Sequence, residues 1–190
     1  AYRFMAFANL HLGGLHATRL AFAEFSASWA PHEPIHALDV ASGTGDIPRA
    51  LMAWDSRLRF VRMDLGADLR DGLAVIGNAL RLPFLDRSFD YVTTSLFLHH
   101  LTDDALLIVL RECDRVARRG LIMNDLVRNK RHHAWTQLFS RFGNRIVRHD
   151  APLSVLKSFT ADELRRLAAP WSYLRVRPCS GHRMLLYGQK

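Results

Sequence analysis

Hydrophobic positions along the chain fall into two kinds of run that alternate. Short apolar-rich stretches are IHALDVA at 35–41, LRFVRMD at 58–64, GLAVIGN at 72–78, SFDYVTTSLFL at 88–98 and GLIMNDLV at 120–127. Their length suits strands buried in a parallel sheet. Between and after them, apolar residues recur at helical spacing in DIPRALMAW (46–54), TDDALLIVLRECDRVARR (102–119), HHAWTQLFSRF (132–142) and TADELRRLAA (160–169). Asp46 lies in the first turn of its helix, Pro48 is tolerated there, and Thr102 is a candidate N-cap. Residues 2–29 read as two helices broken at Gly13-Gly14, followed by the proline-bounded linker APHEP at 30–34. The chain closes with YLRVRPC and MLLYGQK across SGHR, a hairpin signal.

Strand and helix alternation builds a parallel sheet with helices on both faces, and the closing hairpin makes at least one edge antiparallel. The pattern predicts an α/β fold: a doubly wound, mostly parallel seven-stranded sheet ending in an antiparallel hairpin. The 190 residues suit one domain. Within it, residues 1–34 form an N-terminal helical cap, 35–127 the ligand-binding core, and 128–190 further helices and the hairpin.

Composition narrows the class. Apolar residues make up 49% and charged residues 23%, as in an ordinary soluble domain. No apolar run is long enough to cross a bilayer, and no secretory signal pattern opens the chain, so a cytoplasmic protein is expected. The net charge of +8 is almost all arginine, the lysines being Lys130, Lys157 and Lys190. Those arginines are scattered rather than gathered in one block; Arg118-Arg119 and Arg165-Arg166 fall near predicted helix ends, where cations suit the dipole. Cys113 and Cys179 lack metal-ligand spacing, and no metal site is expected.

The stretch ALDVASGTGDIPRAL carries the chemistry. In a doubly wound sheet, ligands sit beyond the carboxyl ends of the strands at the switch point. Gly43 and Gly45 let the main chain turn tightly and approach a ligand. Asp39 supplies an acceptor at the strand end. Asp64 ends the neighbouring strand, where its carboxylate can take both hydroxyls of a ribose. A tight strand-to-helix turn without a ligand would look similar. A dinucleotide fingerprint wants a third glycine where this chain has Pro48, and the closing hairpin also points away from it.

With NALRLPFLDRSFDYVTTSLFLHHL following, the chain resembles class I S-adenosylmethionine-dependent methyltransferases. It is similar in particular to the ubiquinone/menaquinone C-methyltransferase group, which shares Ala41 in the glycine turn. The resemblance covers about residues 36–127. It implies S-adenosyl-L-methionine as cofactor, S-adenosyl-L-homocysteine as product, and a seven-stranded Rossmann-like fold. Carried over by position, the main chain of Ala41, Ser42, Gly43 and Gly45 holds the methionine part. Asp64 with Leu65 holds the ribose, Asn78, Ala79 and Leu80 flank the adenine, and Ser95 lines the far wall. Asn78 replaces the usual acid, keeping an acceptor but losing the charge. The eight residues LGADLRDG at 65–72 are too short for the helix that covers the adenine in this family.

Methyl transfer needs positioned reactants, and a base only if the acceptor must lose a proton. His100 and His149 are the candidate bases. His100 follows the fourth strand; His149 stands beside Asp150 in VRHDAPLS, a non-sheet segment after a helix. His99, Asn124, Arg128 and Arg148 are candidate acceptor contacts, and His132-His133 read as surface or cap residues. Aromatics in YRFMAFANLHL and HHAWTQLFSRF would roof an apolar acceptor pocket, or simply pack. The expected partner is a small aromatic or polyketide/quinone-like acceptor, methylated on oxygen or carbon by a monomer or homodimer. Two other classes stand beside that reading: a degenerate fold kept for binding a partner, and an RNA methyltransferase. Nucleic acid is disfavoured, because SLFLHH stands where amino-methylating DNA enzymes carry a proline-rich motif.

Overall fold

The computed structural model describes residues 9–10, 12–66, 73–140 and 145–190. Its elements run α1 (Gly14–Ser26), β1 (Ile35–Val40), α2 (Asp46–Trp54), β2 (Leu58–Asp64), β3 (Ala74–Ile76) and β4 (Phe89–Ser95). A 3-10 turn (Leu98–His100) leads to α3 (Asp103–Val116) and β5 (Ala117–Leu126). Then come α4 (Lys130–Ser140), α5 (Arg145–Lys157), α6 (Ala161–Ala168), β6 (Arg175–Cys179) and β7 (Arg183–Gln189). One seven-stranded sheet has the order β3-β2-β1-β4-β5-β7-β6. The first five strands pair in parallel, and β7 runs antiparallel to both β5 and β6. This is the predicted doubly wound sheet, with its switch point between β1 and β4.

Strand alternation sends the two cores to opposite faces. Leu38, Val40, Val92, Leu121 and Met123 pack with α3 and α6 on one side. Ala37, Phe60, Tyr91, Ile122 and Leu185 pack with α1 and α2 on the other. Helix α1 lies along the sheet, where Phe22 meets Tyr91 edge-on at 5.7 Å and Phe25 stacks on it at 5.3 Å. The Tyr91 hydroxyl accepts from Trp29 Nε1 at 3.0 Å and Gln189 Nε2 at 2.7 Å. These aromatics are spent on the core; the aromatics of YRFMAFANLHL, expected as a roof over an acceptor, lie outside the described residues. The break at Gly13 is real, with φ +88 and the Ser180 carbonyl pressed against the position a side chain would take.

Several boundaries differ from the pattern. The helix expected over 102–119 stops at Val116, and Ala117, Arg118 and Arg119 open β5 instead. Thr102 caps it as expected, accepting from the Ala105 amide at 3.3 Å. Arg118 and Arg119 leave the helix because buried Asp90 takes both, at 3.2 and 3.1 Å, and Glu33 takes Arg119 as well. The fourth strand ends at Ser95 because Leu96 turns left-handed, φ 54, before the 3-10 turn. VRHDAPLS is helical, within α5, with Pro152 inside the helix.

Phe22 has no exposed surface and touches Trp29, Phe60 and Tyr91. Phe22→Ala is therefore expected to cost about 3–5 kcal/mol, read as a lower urea midpoint with an unchanged slope.

Candidate functional site

The site is built where β1 gives way to α2. Ala41, Gly43 and Gly45 all turn left-handed, at φ 56, 52 and 71. A Cβ at Gly45 would lie 2.6 Å from Cδ and Nη1 of Arg62, whereas one at Gly43 would meet nothing within 4 Å. Gly43 and Gly45 are both required by backbone conformation, with open space beside the first and the Arg62 side chain against the second. The turn is tied to β2: the Ser42 amide donates to the Met63 carbonyl at 3.1 Å, and the Gly43 amide to Asp64 Oδ2 at 2.8 Å. Asp64 also accepts from the Gly66 amide at 3.3 Å. Its carboxylate is aimed by backbone groups and keeps lone pairs for further donors.

Asp39 lies beneath this turn in register with Arg62 on β2 and Thr93 on β4. It accepts from Thr93 Oγ1 at 2.6 Å and is 4% exposed. Burial pushes its pKa up to about 6; the Ser42 and Thr93 hydroxyls and Arg62 oppose that rise, and Asp64 adds to it. Although Ser42 lies near enough to act on Asp39, its Oγ completes no hydrogen bond of ordinary geometry. Ser42 Oγ and Thr94 Oγ1 are buried polar atoms with no partner among the described residues. Thr94 pairs in register with Val40, so both orphan hydroxyls flank the switch point. Unpaired buried hydroxyls cost free energy, and their concentration here points to a polar ligand.

On the β3 side, Asn78 is exposed and its Oδ1 accepts from the Leu80 amide at 2.9 Å. Ala79 is buried, while Leu65, Leu73, Ile76 and Leu80 stand exposed around it. Most of the short 65–72 segment lies outside the described residues.

At the ends of β4 and β5 the structure joins residues that lie 26 apart in sequence. His99 Nδ1 sits 2.7 Å from Asp125 Oδ1, and the His99 amide donates to Asp125 Oδ2 at 3.0 Å. Both are buried, at 6% and 3% exposure. Burial raises the Asp125 carboxyl, but the hydrogen bond and charge of His99, with the Leu126 and His99 amides, hold it below the usual range. His100 is exposed and its ring lies tilted against that of His99, centroids 4.1 Å apart. Partial desolvation and then the charge of His99 lower its pKa.

The other candidates are dispersed. Ser95 Oγ reaches Asn124 Oδ1 at 3.1 Å and Asn9 Oδ1 at 3.2 Å. Asn124 is buried, donating one carboxamide hydrogen to Thr18 Oγ1 at 2.8 Å and accepting from buried Arg183 at 3.4 Å. It therefore joins α1 to the sheet. Arg128 is paired with Glu163, the capping-box acid of α6. His149 meets Asp150 at 3.1 Å, but both are exposed, so no buried oriented base arises there. Arg148 and His149 line a groove of about 480 Å³ between α4 and α5, with His133, Gln137, Leu153 and Leu156. His132, read from sequence as a surface or cap residue, is instead buried, stacked on His182 at 4.5 Å. Sequence reading missed Arg62, although a charge inside LRFVRMD was its signal. It also missed the pairing of Asp125 with His99, which no local spacing announces. Among the described residues no cluster suited to a metal ion occurs.

Residues 38–123 match the model of a methyltransferase domain. The chain is 37% identical over 94 residues to the demethylmenaquinone methyltransferase of Thermotoga maritima, covering 45% of this chain and 40% of that protein. It is 41% identical over 102 residues to that of a Roseiflexus species, covering 48% and 42%. The chain thus spans about two-fifths of the length of these curated relatives. Among solved structures, a SAM dependent methyltransferase from Aquifex aeolicus superposes with a TM-score of 0.63 at 16% identity, covering 93% of this chain and 92% of that one. The plantazolicin methyltransferase BpumL in complex with SAH superposes at 0.73 with 9% identity, covering 100% and 88%. The fold is that of class I methyltransferases, and S-adenosyl-L-methionine is the cofactor to which the matches point. The residues fit it: the turn faces open space at Gly43, Asp64 is aimed, and two hydroxyls wait unpaired.

Folding raises the Asp39 pKa from 3.8 to about 6, so the folded chain binds the extra proton. Stability from this group falls as pH climbs from 4 to 6 and stays lower above that. Asn keeps the acceptor for Thr93 without the charge. Asp39→Asn is expected to be more stable than the parent at pH 7.5 by about 1–3 kcal/mol and to show no such gain at pH 3.5, by urea unfolding. Asp64→Ala should stay folded and lose affinity for S-adenosylhomocysteine by roughly tenfold or more in calorimetry, since charge-assisted hydrogen bonds contribute about 1.5–3 kcal/mol each.

Proposed function

We propose that this chain is an S-adenosylmethionine-dependent methyltransferase acting on a small acceptor with an acidic O–H or C–H, such as a phenol or quinol ring. The observation that carries this reading is the buried His99–Asp125 pair at the ends of β4 and β5. The methyltransferase-domain match and the demethylmenaquinone relatives support the same class of chemistry.

When bound, the cofactor supplies a methyl group on a sulfonium. Asp64 takes the ribose hydroxyls, and Asn78 and Ala79 flank the adenine. The Ser42 and Thr94 hydroxyls have unspent hydrogen bonds for the remainder, and Asp39 adds negative charge beneath the turn. His99 does the proton work. With its Nδ1 hydrogen given to Asp125, the Nε2 lone pair is free to take the acceptor's proton as that atom becomes the nucleophile. Asp125 stays ionised because its pKa is lowered, and it then stabilises the imidazolium formed. His100, with its own pKa lowered, stays neutral at pH 7 beside the His99 ring.

A second reading keeps the fold for binding rather than catalysis. The exposed Leu65 and Leu73 beside the adenine side favour it, at 73% and 72% exposure. Transfer of a labelled methyl group to phenolic and quinol acceptors separates the two. The enzymatic reading expects turnover that falls about 100-fold or more in His99→Ala while S-adenosylhomocysteine affinity holds. It expects Asp125→Asn to fall similarly, and His149→Ala to keep most activity. Full turnover of His99→Ala across pH 6 to 9 would remove the base and leave positioning alone to carry the reaction.

A further inference from the structure

The helical hairpin α4–α5 brings two properties together. The two helices hold five basic residues (Lys130, Arg131, Arg145, Arg148 and Lys157) and one acid, Asp150. The same hairpin exposes Trp135 (55%), Leu138 (52%), Leu156 (48%) and Leu153 (38%). Trp135 and Leu138 are neighbours at i,i+3 on α4, and Leu153 and Leu156 at the same spacing on α5. Helix α4 gives little to the core: among its described side chains only His132 and Ser140 are buried. His132 Nδ1, 2.9 Å from the Val127 carbonyl, and its stack on His182 moor the start of the helix. Beyond that point α4 rests on α5, which in turn packs on the 3-10 turn that carries His99 and His100.

We propose that the α4–α5 hairpin docks on an anionic lipid surface. Charge complementarity selects this occupant. A helix rich in Lys and Arg with Trp and Leu among them lies at the headgroup boundary, its apolar residues in the acyl edge and its cations on anionic headgroups. A nucleic acid would use the cations but leave Leu138, Leu153 and Leu156 in water. A second copy of this chain would set like charge against like charge. Docking there places the membrane against the helix that packs over His99, where an apolar acceptor could pass from lipid to the site. The docking itself stands independently of the catalytic reading.

The test is sedimentation of the full chain with vesicles of phosphatidylcholine alone or with roughly one-third phosphatidylglycerol. The chain is expected to partition onto the anionic vesicles at least about tenfold more strongly, less so as salt rises. The double variant Trp135→Ser, Leu138→Ser changes only exposed side chains; it should lose at least about tenfold in partitioning while its S-adenosylhomocysteine affinity is unchanged. Absence of partitioning onto anionic vesicles overturns the proposal, and so does partitioning that the double variant keeps in full. Salt-sensitive binding to RNA that survives the double substitution, without vesicle binding, overturns it in favour of a nucleic acid. An enzyme inactive on every acceptor tried would leave the vesicle result standing, so the two readings fail separately.

Discussion

A carboxylate buried beneath a left-handed turn is the constraint around which this molecule is arranged. Asp39 stands in register with Arg62 and Thr93, and burial alone would drive it toward the neutral acid. Arg62 is held against Gly45, where any side chain would collide with its guanidinium. The turn above is tied to β2 through the Ser42 and Gly43 amides, the second of which aims Asp64. An acid maintained at a folding cost, an aimed acid and two unpaired hydroxyls on one crevice form an arrangement that stability alone would not favour. A cationic, hydroxyl-bearing ligand offsets each of those costs.

The second half of the site depends on strand order. Placing β4 and β5 side by side brings the end of one against the end of the other, and that adjacency makes His99 and Asp125 a pair. Asn124, one residue earlier, faces the other side of the sheet and joins Thr18 of α1, Ser95 of β4 and Arg183 of β7. Neighbouring residues on one strand thus serve opposite faces: one fixes α1, the other pairs with His99.

Much of this was legible in the sequence, for physical reasons. Buried parallel strands read as apolar runs, and the left-handed turn needed Gly43 and Gly45. Thr102 caps its helix as its position suggests. What stayed hidden depends on partners distant in the chain. Arg118 and Arg119 read as the end of a helix because Asp90 and Glu33, which draw them into β5, are far away in sequence. Arg128 looked available for an acceptor until α6 brought Glu163 beside it. The adjacent His149 and Asp150 advertised a base that solvent exposure weakens, while the buried pair announced nothing locally.

The central claim is that the crevice at the switch point is a nucleoside-sulfonium site, and calorimetric titration of the unmodified chain with S-adenosylhomocysteine tests it most directly. The account predicts saturable binding with one molecule per chain. Absence of heat at millimolar ligand, with the chain folded by circular dichroism, would contradict it.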